Sequence, residues 1–132
     1  MSKLENKVVI ITGASEGIGR ALSLKFAEQK AKIVLVARNK DRLDELKKEI
    51  ESSGAEALVV PTDITDQNAC EQLIKSTINH FKKIDILINN AGMTMWTPFE
   101  EINDLSIFKK IIALNYLGSV YCTHSALPYL KQ

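Results

Sequence analysis

Short apolar runs alternate along the chain with stretches whose apolar positions recur at helical spacing. The apolar runs lie at residues 7–12, 32–37, 56–60 and 84–89. They are rich in Val and Ile, which is typical of strands buried on both faces of a parallel sheet. The intervening stretches place apolar side chains on one helical face, and they lie at residues 17–29, 40–52 and 67–81. The pattern predicts four strands and three helices in strict alternation.

Local signals at the helix ends agree with this alternation. Gly54 follows the second helix as a C-terminal stop, and Asp66 precedes the third helix as an N-cap. Because parallel strands joined by helices take right-handed crossovers, we expect an α/β fold with a doubly wound parallel sheet. After the fourth strand, residues 94–103 predict a loop with a short turn at Pro98, and residues 105–130 predict one long, mostly apolar helix.

Composition limits the kinds of partner that this chain can have. Its 132 residues are 45% hydrophobic and 25% charged, which suits one domain with one core. Seventeen basic and sixteen acidic residues are mixed along the chain and leave a charge of +1, so a nucleic-acid or anionic membrane surface is not expected. No segment reaches the ~18 apolar residues of a spanning helix. We therefore expect a cytoplasmic protein.

The cysteine and histidine residues show no metal-binding spacing. Cys70 and Cys122 are far apart in sequence and have no neighbouring His-Cys cluster, so the sequence predicts two buried thiols and no disulfide or metal site. His80 and His124 suit helix surfaces or core edges, and no role is assigned to them.

A glycine-rich segment lies directly between the first strand and the first helix. In Thr12-Gly-Ala-Ser-Glu-Gly-Ile-Gly19, the first glycine permits a tight turn, the second lets backbone approach a pyrophosphate, and the third allows close helix packing. Free helix N–H groups would face the anion. A loop that merely connects strand to helix would also accept these glycines, so the segment alone leaves both interpretations open.

A second segment, Asn89-Asn-Ala-Gly92, follows the fourth strand. Ligands in open α/β sheets lie outside the carboxyl ends of the strands, which is where this segment is delivered. Its small residues leave room for a ligand. The two amide side chains can tie the strand end to neighbouring backbone, with Asn90 facing a ribose. Taken alone, the segment is also typical of an ordinary turn.

Together the two segments make the chain similar to the short-chain dehydrogenase/reductase family, from about residue 7 to the end. The resemblance implies a Rossmann fold, a nicotinamide cofactor, and alcohol or carbonyl substrates. It also implies the cofactor-binding residues, which are Gly13, Ser15, Glu16, Gly17, Ile18, Gly19, Asn90, Ala91 and Gly92. Glu16 departs from the basic residue that NADP-preferring members often carry at this position.

Cofactor choice is expected at the end of the second strand. An acidic side chain there binds the ribose hydroxyls of NAD, whereas an arginine accommodates the extra phosphate of NADP. This chain has Arg38, followed by Asn39 and Lys40, so NADP is expected over NAD, although a solvated arginine is the alternative. The family's acidic residue beside the adenine matches Asp63, with the Ile64 backbone alongside. Helix capping by Asp63 is the alternative, but Asp66 fills that role better.

Asn115 is the one residue on the catalytic side that the resemblance identifies. It lies with Gly118 inside the predicted long helix, where both residue types oppose helix propensity. In the family, the matching asparagine distorts this helix and helps hold a water in the proton relay to the catalytic lysine. Helix bending alone is the structural alternative.

The family's active-site serine and its Tyr-x-x-x-Lys pair are expected downstream of residue 132. Tyr116 and Tyr121 have no lysine four residues later. We therefore expect this chain to be the N-terminal part of a longer single-domain fold, truncated after the fourth strand and long helix and inactive alone, from a homo-oligomeric parent. A truncated, non-catalytic nucleotide-binding or interaction module is the alternative. The apolar loop at Met93, Met95 and Trp96 suits either a substrate site or core packing.

Overall fold

A computed structural model describes residues 2–132 as a parallel sheet covered by helices on both faces. The strands are β1 (Val8–Thr12), β2 (Lys32–Ala37), β3 (Glu56–Pro61) and β4 (Ile86–Ile88). The helices are α1 (Gly17–Glu28), α2 (Lys40–Ser52), α3 (Gln67–Phe81), α4 (Ser106–Ile112) and α5 (Gly118–Leu130). The strand order is β3-β2-β1-β4, with all described pairs parallel, so the predicted doubly wound Rossmann-type sheet is confirmed.

Side-chain alternation along the central strands builds two separate cores. In β1, Val8 and Ile10 point to one face of the sheet, where they pack with residues of α3 and α5. Val9 and Ile11 point to the other face, where they pack with residues of α1 and α2. Because every residue of β1 is buried, neither face of this strand can tolerate a charge, which explains its uninterrupted apolar run.

The predicted ends of the first three helices agree closely with the structure. Asp66 caps α3 as predicted, because its carboxylate accepts hydrogen bonds from the backbone N–H groups of Asn68 and Ala69. Gly54 follows α2 with φ of +88°, a left-handed conformation that favours glycine. The side chain of Asn39 caps α2 by accepting from the N–H of Arg42.

Two elements differ from their predicted extent. The fourth strand spans only Ile86–Ile88, because Asp85 turns its carboxylate to the N–H of Val8 at the start of β1, 2.8 Å away. The predicted long helix is interrupted by a π-helical turn at Ala113–Leu117, where the N–H of Gly118 bonds to the carbonyl of Ala113. A short 3-10 turn at Phe99–Glu101 follows Pro98, as predicted.

Within residues 2–132, no helix is long and apolar enough to cross a membrane. Cys70 on α3 and Cys122 on α5 are buried, as predicted, and the Cys122 thiol donates to the sulfur of Cys70, 3.7 Å away. The Cys122 side chain and burial raise the pKa of the Cys70 thiol.

Candidate functional site

A cleft of about 890 Å³ opens at the carboxyl ends of the strands. Its volume lies in the range of ~300–1,000 Å³ that is typical of small-molecule and cofactor sites. All but two of the predicted cofactor-binding residues line it, the exceptions being Gly17 and Gly19. The predicted residues in its wall are Gly13, Ser15, Glu16, Ile18, Arg38, Asp63, Ile64, Asn90, Ala91 and Gly92.

The three glycines between β1 and α1 serve different geometric needs. Gly13 and Gly17 adopt φ of +68° and +57°, which side chains other than glycine rarely tolerate. A Cβ on Gly19 would lie 2.1 Å from the carbonyl oxygen of Gly13, so only glycine permits this close packing. A Cβ on Gly17 would meet nothing within 4 Å, so backbone at Gly17 borders open space. The loop is thus packed tightly on one side and accessible on the other.

The N-terminus of α1 differs from those of α2 and α3 because no side chain caps it. Glu16 occupies the N-cap position with extended backbone and makes no capping hydrogen bond. The first amides of a helix lack intrahelical partners and carry the positive end of its dipole. The first turn of α1 also contains no acidic side chain. This helix end is therefore able to receive an anion such as a phosphate group.

Thr12, which the sequence analysis did not single out, joins the glycine loop to the end of β4. Its buried hydroxyl accepts the backbone N–H groups of Asn90 and Ala91, each at 3.0 Å, and donates to the carbonyl of Ile88 at 3.4 Å. The signal was a threonine at the last position of a fully buried strand, where a hydroxyl needs partners. Thr12 fixes the position of the segment that walls one side of the cleft.

The two asparagines after β4 point in different directions. Asn89 donates to the hydroxyl of Thr123 on α5, at 3.0 Å. The Asn90 side chain donates to the carbonyl of Gly13, at 3.3 Å, and also borders the cleft. The expected tie to neighbouring backbone is therefore made by Asn90 itself. Its predicted contact with a ribose stays a prediction.

Arg38 and Asp63 place opposite charges on the same side of the cleft. Within residues 2–132, no carboxylate forms an ion pair with Arg38, so its guanidinium is available to a ligand. Asp63 Oδ1 accepts from the hydroxyl of Thr65 at 2.7 Å and from its N–H at 3.0 Å. These two bonds, with Arg38 nearby, hold the pKa of the Asp63 carboxyl below its ordinary value. Asp63 is therefore an anion whose second oxygen can accept a hydrogen bond.

Ile64 is held in the cleft wall by an unusually close approach of α5. A Cβ on Gly118 would lie 2.6 Å from Cδ1 of Ile64, so a larger residue at the start of this helix would require the Ile64 side chain to move. The carbonyl of Ile64 accepts from the thiol of Cys70 at 3.3 Å. Gly118 is thus a packing residue that supports the cleft wall, a role beyond the helix distortion expected from sequence.

Arg42, in the first turn of α2, is a charged residue of the cleft that sequence reasoning missed. Its guanidinium donates to Oε2 of Glu16, at 2.9 Å. The pair therefore crosses from α2 to the glycine loop. The signal available in the sequence was an arginine four residues after Arg38, one helical turn into α2.

Asn115 lies at the centre of the π-helical turn and contacts the cleft through Met93. Its Oδ1 accepts the N–H of Met93 and its Nδ2 donates to the Met93 carbonyl, both at 2.8 Å. Met93 lines the main cleft, whereas Asn115 borders a separate groove of about 430 Å³ with Tyr116, Thr123 and His124. π-helical turns frequently accompany functional sites. A role for Asn115 in holding a relay water stays a prediction.

The remaining candidates contribute no further site. No group of three or more potential metal ligands occurs among the described residues, and His80 packs edge-on against Phe81. Among the described residues, the Trp96 side chain does not pack in the core, because it is 94% exposed, whereas Met93 and Met95 are half-buried. The short fourth strand ends before this loop, so the sheet does not cover it.

Comparison with known proteins identifies one family. Residues 7–132 match the profile described as short chain dehydrogenase. The chain is similar to 11-beta-hydroxysteroid dehydrogenase 1A of Arabidopsis thaliana, with 43% identity over 98% of this chain and 37% of that protein. The chain thus spans about 37% of the length of this curated relative.

Solved structures give the same result for the fold. An alcohol dehydrogenase of Thermococcus sibiricus, complexed with 5-hydroxy-NADP, matches with a TM-score of 0.90 and 31% identity over 95% of this chain and 53% of its own. A xylitol dehydrogenase with bound NAD+ matches with a TM-score of 0.92 and 28% identity over 98% of this chain and 50% of its own.

Proposed function

The chain belongs to the short-chain dehydrogenase family, and we propose that the full-length protein is an NADP-dependent oxidoreductase that interconverts an alcohol and a carbonyl by hydride transfer. The single observation that supports this most directly is the cleft, which brings the glycine loop, Arg38, Asp63 and Asn90 together at the carboxyl ends of the strands. In this proposal the chain is the N-terminal part of a longer single-domain fold.

The residues present fit a dinucleotide. The uncapped end of α1 suits the pyrophosphate, since several amides can donate there, and Ile18 of α1 lines the cleft with Gly13 and Ser15 of the adjoining loop. The free oxygen of the Asp63 carboxylate can accept a hydrogen bond from the exocyclic amine of the adenine. The lowered pKa of Asp63 keeps the carboxylate ionised near neutral pH. Asn90 borders the space between these two sites, where a ribose would lie.

Arg38 supports NADP over NAD. Its guanidinium can bind the extra phosphate with charge-assisted hydrogen bonds, each worth about 1.5–3 kcal/mol in favourable surroundings and less where solvent is close. Arg38 is exposed, so we take the lower part of that range. The two similar structures hold nucleotides of both kinds, so the choice depends on this side chain.

When bound, the nicotinamide ring supplies the hydride donor or acceptor. This chain's residues orient the cofactor and exclude water on one side, and Asn115 holds the Met93 backbone at the cleft edge. Among residues 2–132, no tyrosine has a lysine four positions later. We therefore propose that the serine and the Tyr-x-x-x-Lys pair of the family lie outside these 132 residues.

Binding titrations of the full-length protein test the proposal. Arg38→Asp replaces attraction for the extra phosphate with repulsion, so NADPH affinity should fall by tenfold or more, at about 1.4 kcal/mol for each factor of ten, while NADH affinity changes little. Lys47→Asp, on α2 but outside the cleft, is the matched control. An unchanged NADPH-to-NADH affinity ratio in Arg38→Asp would refute the role of Arg38.

Turnover separates the enzyme from the alternative, a non-catalytic nucleotide-binding or interaction module. Because of the relative's name, a steroid alcohol is the first substrate to test. NADP reduction coupled to oxidation of an alcohol by the full-length protein supports the enzyme, whereas nucleotide binding without oxidation of any alcohol would support the module.

Location and assembly belong to the same proposal. We propose a cytoplasmic homo-oligomer without nucleic-acid or membrane partners. The balance of 17 basic and 16 acidic residues, which are mixed along the chain, supports the absence of polyanionic partners in this proposal.

A further inference from the structure

An ion pair joins Arg42 and Glu16, two residues that line the cleft. Both side chains are largely exposed, at 56% and 76%, so the pair contributes little to stability. It is nevertheless a specific contact, since it joins the glycine loop to the first turn of α2 across 26 residues of sequence. A weak surface pair at a ligand-facing position has more influence on what binds than on folding.

The backbone holds Arg42 in a defined position beside Arg38. The side chain of Asn39 accepts the N–H of Arg42 at 3.2 Å, which fixes the base of the arginine at the helix start. Arg38, Asn39 and Arg42 all line the cleft, and Glu16 faces them from the glycine loop. Two guanidinium groups and one carboxylate therefore share the side of the cleft where the adenosine ribose of the proposed cofactor would lie.

We propose that Arg42 is a second specificity-determining cation for the 2′-phosphate of NADP, and that Glu16 competes with this phosphate for Arg42. The inference rests on the proposed function, because it concerns the same nucleotide. A dianionic phosphate between Arg38 and Arg42 takes the place of the Glu16 carboxylate as the partner of Arg42. Glu16 thereby weakens the preference for NADP without removing it.

The proposal explains how an acidic residue is accommodated beside a phosphate site. Without Arg42, the Glu16 carboxylate would face the phosphate with its charge uncompensated, and like charges at this range repel. With Arg42 present, the same cation pairs with Glu16 before the nucleotide binds and with the phosphate when the nucleotide is bound. Removal of the arginine and removal of the glutamate should therefore have opposite effects on the affinity for the same phosphate.

Calorimetric titration with two small probes isolates this phosphate. Adenosine 2′,5′-bisphosphate carries it, and adenosine 5′-monophosphate does not; neither probe requires turnover. In the full-length protein, Arg42→Gln should weaken the bisphosphate about tenfold and the monophosphate less than about twofold. Glu16→Gln should tighten the bisphosphate by about threefold, and Arg42→Lys should restore part of the lost affinity.

Arg20→Gln is the matched control, because Arg20 is also paired with a glutamate, Glu49, but lies outside the cleft. It should leave both affinities unchanged. If the wild type binds the bisphosphate no better than the monophosphate, the proposed NADP preference is wrong, and this inference with it. If the wild type prefers the bisphosphate but Arg42→Gln weakens both probes equally, only the role of Arg42 is overturned.

Discussion

Replacing Thr12 with valine removes a single hydroxyl from the centre of the candidate site. Valine keeps the branched shape of threonine, so the packing of the last residue of β1 is nearly preserved. The substitution nevertheless removes the acceptor that holds the N–H groups of Asn90 and Ala91, each 3.0 Å from the hydroxyl oxygen. It therefore tests the connection between the glycine loop and the end of β4.

The size of the expected loss follows from these two amides. Leaving a buried donor without a partner costs about 1–3 kcal/mol, and both bonds here are only partly buried, so water can satisfy some of the lost capacity. We expect Thr12→Val to lower the free energy of unfolding by about 2–3 kcal/mol. Nucleotide affinity should also fall, because Asn90 and Ala91 line the cleft.

Urea denaturation of the full-length protein measures this loss, and Thr77→Val is a matched control. Thr77 is equally buried, but its hydroxyl donates to the Leu73 carbonyl within α3. When the hydroxyl is removed, this carbonyl keeps the backbone N–H that it accepts in the helix. We expect the control to change stability by less than about 0.5 kcal/mol. Equal stabilities of Thr12→Val and Thr77→Val would refute the reasoning.

Two further substitutions test the glycine loop and the acidic residue of the cleft. Gly19→Ala should lower the free energy of unfolding by about 2–3 kcal/mol in urea denaturation, because its Cβ would overlap the Gly13 carbonyl. The control Gly92→Ala should lower it by less than about 1 kcal/mol, because its Cβ would lie 3.3 Å from a side-chain oxygen. Equal losses in the two variants would contradict the packing argument. Asp63 has a lowered pKa, so its stabilising effect is present above the ordinary value of 3.8 and is lost as pH falls below it. The difference in the free energy of unfolding between wild type and Asp63→Asn should therefore become smaller at acid pH. A difference that grows at acid pH would contradict a lowered pKa of Asp63.

Regular elements of the fold could be predicted from sequence because each carries its own period. Residues 40–52 and 67–81 were predicted with the bounds that α2 and α3 have, since the apolar periodicity agrees with the stop signal at Gly54 and the cap at Asp66. The fourth strand was predicted too long, because its apolar run includes Ile84, which is buried in the core outside the sheet ladder.

The contacts between elements could not be predicted from the same patterns. Thr12 bonds to Asn90, 78 residues away in sequence, and Arg42 bonds to Glu16, 26 residues away. The local periodicity of apolar residues carries no information about contacts at such separations. For the π-helical turn, the sequence contained only an indirect indication, because Asn115 and Gly118 are poor helix formers inside an apolar helix. Its form depends on two tertiary constraints, the bonds from Asn115 to Met93 and the close approach of Gly118 to Ile64.

A crystal structure of the full-length protein with NADP tests the central claim most directly, because the claim concerns where each part of the cofactor lies. We predict the pyrophosphate against the backbone amides at the start of α1, the 2′-phosphate within hydrogen-bond distance of Arg38, and the adenine beside Asp63. Electron density for the nucleotide outside this cleft, or a 2′-phosphate directed away from Arg38 into solvent, would contradict the account.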